Sequence, residues 1–99
     1  MRSSFEAILS TQTPVLVDFY ADWCQPCKIL APILGALKHE LGATLKIIKI
    51  DVDKNQSLAA RYHVRSVPTL ILFKDKQPVW RQAGVLQKTD LHTALKPYL

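Results

Sequence analysis

The sequence pattern changes abruptly within residues 15–28, which read VLVDFYADWCQPCK. Residues 15–21 are a short apolar run with β-branched and aromatic side chains, which is typical of a buried strand. Beyond the cysteines, apolar residues recur at spacings of three and four, as on the buried side of a helix: Ile29, Leu30, Ile33, Leu34, Leu37 and Leu41. We therefore expect a strand that leads directly into an amphipathic helix.

Cys24 and Cys27 lie at this junction. Two cysteines three positions apart on the first turn of a helix share one side and can form a small disulfide loop. The thiolate is the nucleophile in disulfide exchange, and an ordinary Cys is only ~3% ionised at pH 7. The unpaired N–H groups at a helix N-terminus favour the thiolate. The pattern indicates a redox site in which Cys24 attacks and Cys27 resolves, with Cys24 reachable and Cys27 shielded.

Two other interpretations of the cysteine pair need weighing, namely half of a zinc site and two ordinary buried cysteines. A zinc site needs further ligands, and the sequence has no second Cys-x-x-Cys. His39, His63 and His92 occur at irregular distances. Trp23, Pro26 and the strand-to-helix context favour redox chemistry, so no metal is predicted.

Length and composition predict one domain covering residues 1–99, with a modest core and no need for metal or disulfide cross-links. Two cysteines cannot form the disulfide framework of a small secreted protein. The first ten residues have no apolar segment typical of a signal peptide, and no run approaches membrane-spanning length. We therefore expect a cytoplasmic protein that does not insert into membranes.

The net charge is +5, but the basic residues occur singly, as in Lys46, Lys54 and Arg61. That distribution is typical of a solvated surface, whereas nucleic-acid binding favours a clustered basic stripe. The sequence therefore predicts no nucleic-acid partner and at most a mild preference for acidic protein surfaces.

Periodicity and turn residues predict the element order αβαβαββα, and hence an α/β sandwich with a mixed sheet and helices on both faces. Gly42 is expected to end the long helix, Asn55 to cap the next one, and residues 75–78 to form a hairpin loop. Ser3 and Glu6 suggest a capping box at the first helix. The predicted strands are 15–21, 45–53, 69–74 and 79–84, and the predicted longer helices are 24–41, 55–62 and 88–98.

The segment WCQPCK closely resembles the active-site region of the thioredoxin family, whose usual motif is WCGPCK, with Gln25 in place of Gly. The resemblance covers nearly the whole chain and implies a three-layer α/β/α sandwich. Family members usually begin with an additional strand, for which the sequence leaves no room before Phe5. We therefore expect a four-stranded sheet with residues 45–53 at an open edge, where Lys46 and Lys49 discourage pairing and favour a monomer over a dimer.

Asp18 interrupts the apolar strand, where an ionised carboxylate is costly to bury and its pKa is expected to be high. The resemblance implies that Asp18 acts as general base for Cys27, through water, and that Lys49 moderates the pKa of Asp18. The simpler interpretations are a hydrogen-bonded structural carboxylate and an ordinary edge-strand lysine.

The resemblance also implies a set of substrate-contacting residues. It makes Pro68 a cis-proline facing the disulfide, although X-Pro bonds are mostly trans, and it pairs the Val67 backbone with an extended substrate segment. Trp23 is expected at the lip of the site rather than in the core, and Gly84 in a loop beside it rather than as a simple strand end. With Gln25 and Pro26, the predicted contacts are Trp23, Gln25, Pro26, Val67, Pro68 and Gly84.

These features predict a thiol–disulfide oxidoreductase that reduces protein disulfides and needs no cofactor of its own. The resemblance implies a thioredoxin-reductase-like electron donor. The alternative is a redox-switched binding or assembly module with the same fold. An oxidising enzyme is a weaker third interpretation, because such relatives tend to carry a different central dipeptide and an export signal.

Overall fold

The computed structural model describes residues 4–99. Short 3-10 turns at Gly42–Thr44 and Lys96–Tyr98 follow the second and the fourth α-helix. The order of helices and strands is the predicted one, whereas the capping box predicted for Ser3 lies outside the described residues. The elements are α1 (Ser4–Leu9), β1 (Val15–Tyr20), α2 (Gln25–Leu41), β2 (Lys46–Asp51), α3 (Gln56–Arg61), β3 (Thr69–Lys74), β4 (Gln77–Ala83) and α4 (Lys88–Leu95).

The described residues form one four-stranded sheet in the order β2-β1-β3-β4. Strands β1 and β2 are parallel, while β1–β3 and β3–β4 are antiparallel. The predicted mixed sheet is confirmed, and so is the position of β2 at an edge. Parallel pairing brings the carboxyl ends of β1 and β2 to the same end of the sheet, which is where ligand sites form in sheets of this kind.

Alternating side chains of the central strands fill two separate cores. One core lies under α2 and α4 and consists of Leu16, Leu30, Leu34, Leu37, Leu45, Leu70, Leu72, Leu91 and Leu95. The other lies under α1 and α3 and consists of Phe5, Leu9, Val15, Val17, Phe19, Ile71 and Phe73. Asp18 is two residues after Leu16 on β1 and therefore belongs to the α2 face of the sheet.

Two of the predicted helix ends can be compared with the structure. Gly42 ends α2 with a φ of 56°, a left-handed value that favours glycine, as expected. Asn55 occupies the N-cap position of α3, as predicted, but its side chain makes no capping hydrogen bond. Its Nδ2 instead donates to the carbonyl oxygen of Asp51 at 3.0 Å, which holds the amide toward the end of β2.

The loop between β3 and β4 is tighter than predicted. Strand β4 already begins at Gln77, so only Asp75 and Lys76 connect the strands, rather than residues 75–78. Both residues have positive φ, 53° and 67°, which is what a two-residue type I′ hairpin turn requires. The sequence did not reveal this turn, because neither position is a glycine, the residue that usually marks a turn with positive φ.

Candidate active site

The two cysteines form a disulfide where β1 leads into α2. Cys24 is the N-cap of α2, and its Sγ accepts a hydrogen bond from the Cys27 backbone N–H at 3.2 Å. Their Cα atoms are 5.3 Å apart, within the normal range for a disulfide. Pro26 lies in the first turn, where its missing N–H leaves no intrahelical bond unmade. The reacting sulfur therefore lies at the positive end of a 17-residue helix.

The expected difference in accessibility between the two cysteines is not present in the disulfide form. Cys24 is 3% exposed and Cys27 is 5% exposed. Both pack with Ala21 in a small apolar cluster, against Tyr20, Val52 and Val67. The prediction of a reachable Cys24 was therefore wrong for this state, because residues beyond the helix, on β1 and in the loops after β2 and α3, surround the sulfurs.

Trp23 is exposed, as expected for a lip residue, with 69% of its surface accessible. It is nevertheless held in place, because its indole Nε1 donates to Asp53 Oδ2 at 2.8 Å. The Asp53 backbone N–H in turn donates to Asp51 Oδ1 at 2.9 Å. Asp53 is not among the site residues predicted from the sequence. Its position could have indicated a role, because polar residues follow β2 where its end meets that of β1.

A groove of about 140 Å³ lies beside the disulfide and is lined by Trp23, Val52, Val64, Arg65, Ser66 and Val67. Its walls come from the loop before α2, the end of β2 and the loop before β3. Of the residues predicted to contact substrate, Trp23 and Val67 face this common space. Gln25 and Pro26 are exposed on the adjoining first turn of α2.

The Val67–Pro68 peptide bond is cis, as predicted. Pro68 is buried, and its carbonyl oxygen accepts a hydrogen bond from the Gly84 N–H at 2.9 Å. Thr69 Oγ1 donates to the Ser66 carbonyl at 2.7 Å. These two bonds fix the loop that carries Val67 and bring Gly84 next to it, as the family resemblance implied.

Gly84 has a φ of 87°, and a Cβ built there would contact no other atom. We expect Gly84→Ala to destabilise the protein by about 1–2 kcal/mol, because the penalty is purely one of backbone conformation. The matched control is Gly35→Ala in α2, where the added Cβ also meets open space. That change should instead stabilise the helix by about 0.5–1 kcal/mol. Urea unfolding of both variants tests this, and equal signs would contradict it.

Asp18 is 1% exposed, and neither carboxyl oxygen has a hydrogen-bond partner among the described residues. The interpretation of Asp18 as a hydrogen-bonded structural carboxylate is therefore wrong. Burial raises the pKa of Asp18 to about 6, while the positive charge of Lys49 acts in the opposite direction. Asp18 and Lys49 are direct partners in the β1–β2 register. A carboxyl group with this pKa can exchange a proton near neutral pH.

Asp18 and Cys27 line two neighbouring cavities. The larger, of about 250 Å³, includes Asp18, Ala31 and Lys49, and the smaller, of about 120 Å³, includes Cys27, Ala31 and Lys49. Both are large enough to admit water. Lys49 itself is exposed, with its Nζ 4.4 Å from the centre of the Tyr20 ring. The structure thus places Lys49 beside Asp18, as the family resemblance implied, and beside the cavity that Cys27 lines.

Two further observations concern membrane insertion and metal binding. Between residues 4 and 99, no helix is long and apolar enough to cross a membrane. Over the same residues, no three His, Cys, Asp or Glu side chains are grouped as metal ligands would be. The two cysteines are joined to each other as a disulfide instead.

Comparison with known proteins gives a consistent result. The Thioredoxin family model matches residues 1–97. The chain is 42% identical to a thioredoxin of Haemophilus influenzae over 98 residues, which is 98% of this chain and 92% of that one. It is 50% identical to a thioredoxin of Mycobacterium bovis over 84 residues, covering 85% and 72% respectively. A mutant thioredoxin from Halobacterium salinarum has a similar structure, with a TM-score of 0.89 and 39% identity over 99% of this chain and 85% of that one. With its disulfide at the start of α2, the chain belongs to the thioredoxin family.

Proposed function

We propose that this thiol–disulfide oxidoreductase reduces disulfides of other proteins through a dithiol cycle of Cys24 and Cys27. The observation that carries the proposal is the disulfide at the N-terminus of α2, in a chain that matches thioredoxins over most of its length. Its electrons come from a thioredoxin-reductase-like donor, as the family membership supports. We further propose that it works as a single-domain monomer in the cytoplasm.

In the proposed cycle, the Cys24 thiolate of the reduced protein attacks a substrate disulfide. A mixed disulfide forms, and the first substrate sulfur leaves as a thiolate. Cys27 then attacks Cys24 Sγ, releases the second substrate sulfur and leaves the Cys24–Cys27 disulfide seen here. Two electrons pass to the substrate, and the donor returns two. The hydrogen bond from the Cys27 N–H to Cys24 Sγ and the end of α2 both stabilise negative charge on Cys24.

Asp18 takes the proton that Cys27 loses when it attacks, through water in the two cavities beside Lys49. Its burial, its unpaired oxygens and a pKa of about 6 support this role. Lys49 lowers the cost of the Asp18 carboxylate through its positive charge and so limits the rise of that pKa. Asp18, with its pKa moderated by Lys49, thus acts as the general base for Cys27 and does not itself contact the substrate sulfurs.

Substrate lies along the groove between Trp23 and Val67 as an extended segment. The Val67 backbone pairs with that segment, and Pro68 and Gly84 hold the Val67 loop in position through their shared hydrogen bond. Gln25 and Pro26 meet the substrate from the first turn of α2. The largely apolar groove suits unfolded or flexible protein segments better than small polar disulfides.

The test is reduction of insulin, followed by turbidity, with dithiothreitol as the electron source. The wild-type chain should accelerate precipitation well above the dithiothreitol background. A protein without both cysteine sulfurs, Cys24→Ser with Cys27→Ser, should match the background and provides the control. No acceleration by the wild type would favour the redox-switched binding module over the reductase.

A further inference from the structure

We propose that an extended, acidic segment of a partner protein binds along the outer edge of β2 as an additional strand. This edge lies apart from the substrate groove but borders the larger cavity beside Asp18, and strand addition there does not require the redox reaction. The proposal is carried by the hydrogen bonding of β2, by the cavity next to that strand and by the charges on it.

The outer side of β2 carries unpaired backbone groups. Lys46 N–H donates to the Pro14 carbonyl and Val52 N–H to the Tyr20 carbonyl, at 3.0 and 2.9 Å. Because bonding directions alternate along a strand, residues 46, 48, 50 and 52 face β1, and residues 47, 49 and 51 face outward. Within residues 4–99, no strand lies on that side.

One of these outward groups is already used, because the Asp51 carbonyl accepts from Asn55 Nδ2. The free groups are therefore the N–H and C=O of Ile47 and Lys49 and the N–H of Asp51. Donors and acceptors spaced in this way are a template for one short added strand. The Asn55 side chain limits how far such a strand can extend.

A cavity beside this edge offers room for a side chain of the added strand. The space of about 250 Å³ lies between α2 and β2, with Ala31, Leu34 and Ile47 as apolar walls. Asp18, Lys38 and Lys49 also line it, so it is the larger of the two cavities described above. A residue of the incoming strand on the α2 face could place an apolar side chain in this space, which favours a segment with alternating apolar residues.

The charges of the edge select an acidic partner. Lys46 and Lys49 are exposed on β2, and neither has a carboxylate ion-pair partner among the described residues. The only acidic residue of the strand, Asp51, is buried, and its Oδ1 accepts from the backbone N–H groups of Asp53 and Lys54. Lys49 lies on the α2 face and Lys46 on the opposite face, because side chains alternate along a strand. A segment with its apolar residues on the α2 face therefore places its carboxylates beside Lys46, a contact that a neutral segment lacks.

A second copy of this chain fits the same edge less well. An antiparallel pair that uses all three outward residues sets Lys49 directly opposite Lys49 of the other copy. Like charges directly opposite each other destabilise a strand pair. The proposed partner avoids that repulsion, because it places an apolar residue opposite Lys49 and its carboxylates on the face of Lys46.

The test uses the full-length oxidised protein and a capped heptapeptide in which Glu and Val alternate. At a peptide concentration ten times its Kd, amide exchange at Ile47 and Lys49 should slow about tenfold. Binding should weaken as salt is added. The same peptide with Lys in place of Glu should bind at least about tenfold more weakly.

Two methylated peptides test strand addition itself. In an antiparallel arrangement the N–H groups of the Val residues face β2, and those of the Glu residues face away from it. N-methylation of the Val amides therefore removes the donors that pair with β2, whereas N-methylation of the Glu amides removes donors on the opposite edge of the peptide. We expect binding to fall at least about tenfold for the Val-methylated peptide and to persist for the other. Loss in the Glu-methylated peptide alone supports parallel strand addition, and equal behaviour of the two peptides overturns the proposal.

A pair of variants tests the charge. Lys46→Glu should weaken binding of the acidic peptide several-fold, while Lys96→Glu, with the same change in net charge but located after α4, should not. The proposal is overturned if the two variants have equal effects. It is also overturned if the peptide protects amides only in the groove between Trp23 and Val67. Sedimentation of the free protein as a dimer whose Ile47 and Lys49 amides are already protected overturns it as well.

Discussion

Replacing Cys24 with serine should lower the rate of insulin reduction by at least about a thousandfold. A serine hydroxyl remains protonated at pH 7, even where the end of α2 and the Cys27 N–H stabilise negative charge. The one other cysteine of the sequence, Cys27, is buried in the first turn of α2 and acts in the proposed cycle on Cys24 rather than on substrate. The loss should appear in kcat/KM, with circular dichroism to confirm that the fold is retained.

Cys27→Ser is the matched control, because it removes the second sulfur and keeps the first. This variant should still attack substrate but should stop at a stable mixed disulfide between Cys24 and the substrate protein. Mass spectrometry without reductant would show the adduct, and dithiothreitol would release it. Should Cys24→Ser trap substrate and Cys27→Ser fail to, the two roles are reversed.

Asp18→Asn should stabilise the oxidised protein at pH 8 by about 1–3 kcal/mol. Folding raises the pKa of Asp18 from 3.8 to about 6, so the native state binds this proton more tightly than the unfolded chain does. The stability of the wild type therefore falls as the pH rises from about 3.8 to about 6, and above that range the full penalty of about 3 kcal/mol is present. The amide has no charge to desolvate, but it remains without partners, which reduces the gain.

The sign of the pH dependence separates this mechanism from a general packing effect. At pH 4 the native carboxyl is protonated, and the advantage of Asp18→Asn should shrink to below about 1 kcal/mol. Asp22→Asn, at an exposed carboxylate, should change the free energy of unfolding by less than about 0.5 kcal/mol at either pH. Urea unfolding at both pH values supplies the numbers. An advantage that does not vary with pH would contradict a buried, ionised Asp18.

Much of the fold could be predicted because local pattern and tertiary role agree along most of the chain. The apolar run of β1 predicted a central strand, and the three-four spacing after Cys27 predicted α2. The position of β2 at an edge followed from the expected absence of a preceding strand. The hairpin between β3 and β4 was predicted, but its loop was placed at residues 75–78, because the positive φ values of the two-residue turn come from Asp75 and Lys76, which seldom mark such turns.

The candidate site was predictable in its chemistry but not in its surroundings. Cys24, Cys27 and Asp18 are identified by residue type and local context, which a sequence shows directly. The burial of Cys24 and the bond from Trp23 to Asp53 depend instead on segments more than 25 residues away. Such contacts arise only when the carboxyl ends of β1 and β2 meet, so a linear pattern does not reveal them.

The sulfur of Cys24 closes the first turn of α2 as well as carrying the chemistry. Alkylation adds a substituent to the atom that accepts the Cys27 N–H, so it should weaken this cap as well as block the chemistry. The change should be visible as faster amide exchange at Gln25 and Cys27, while the two distant cores keep their protection.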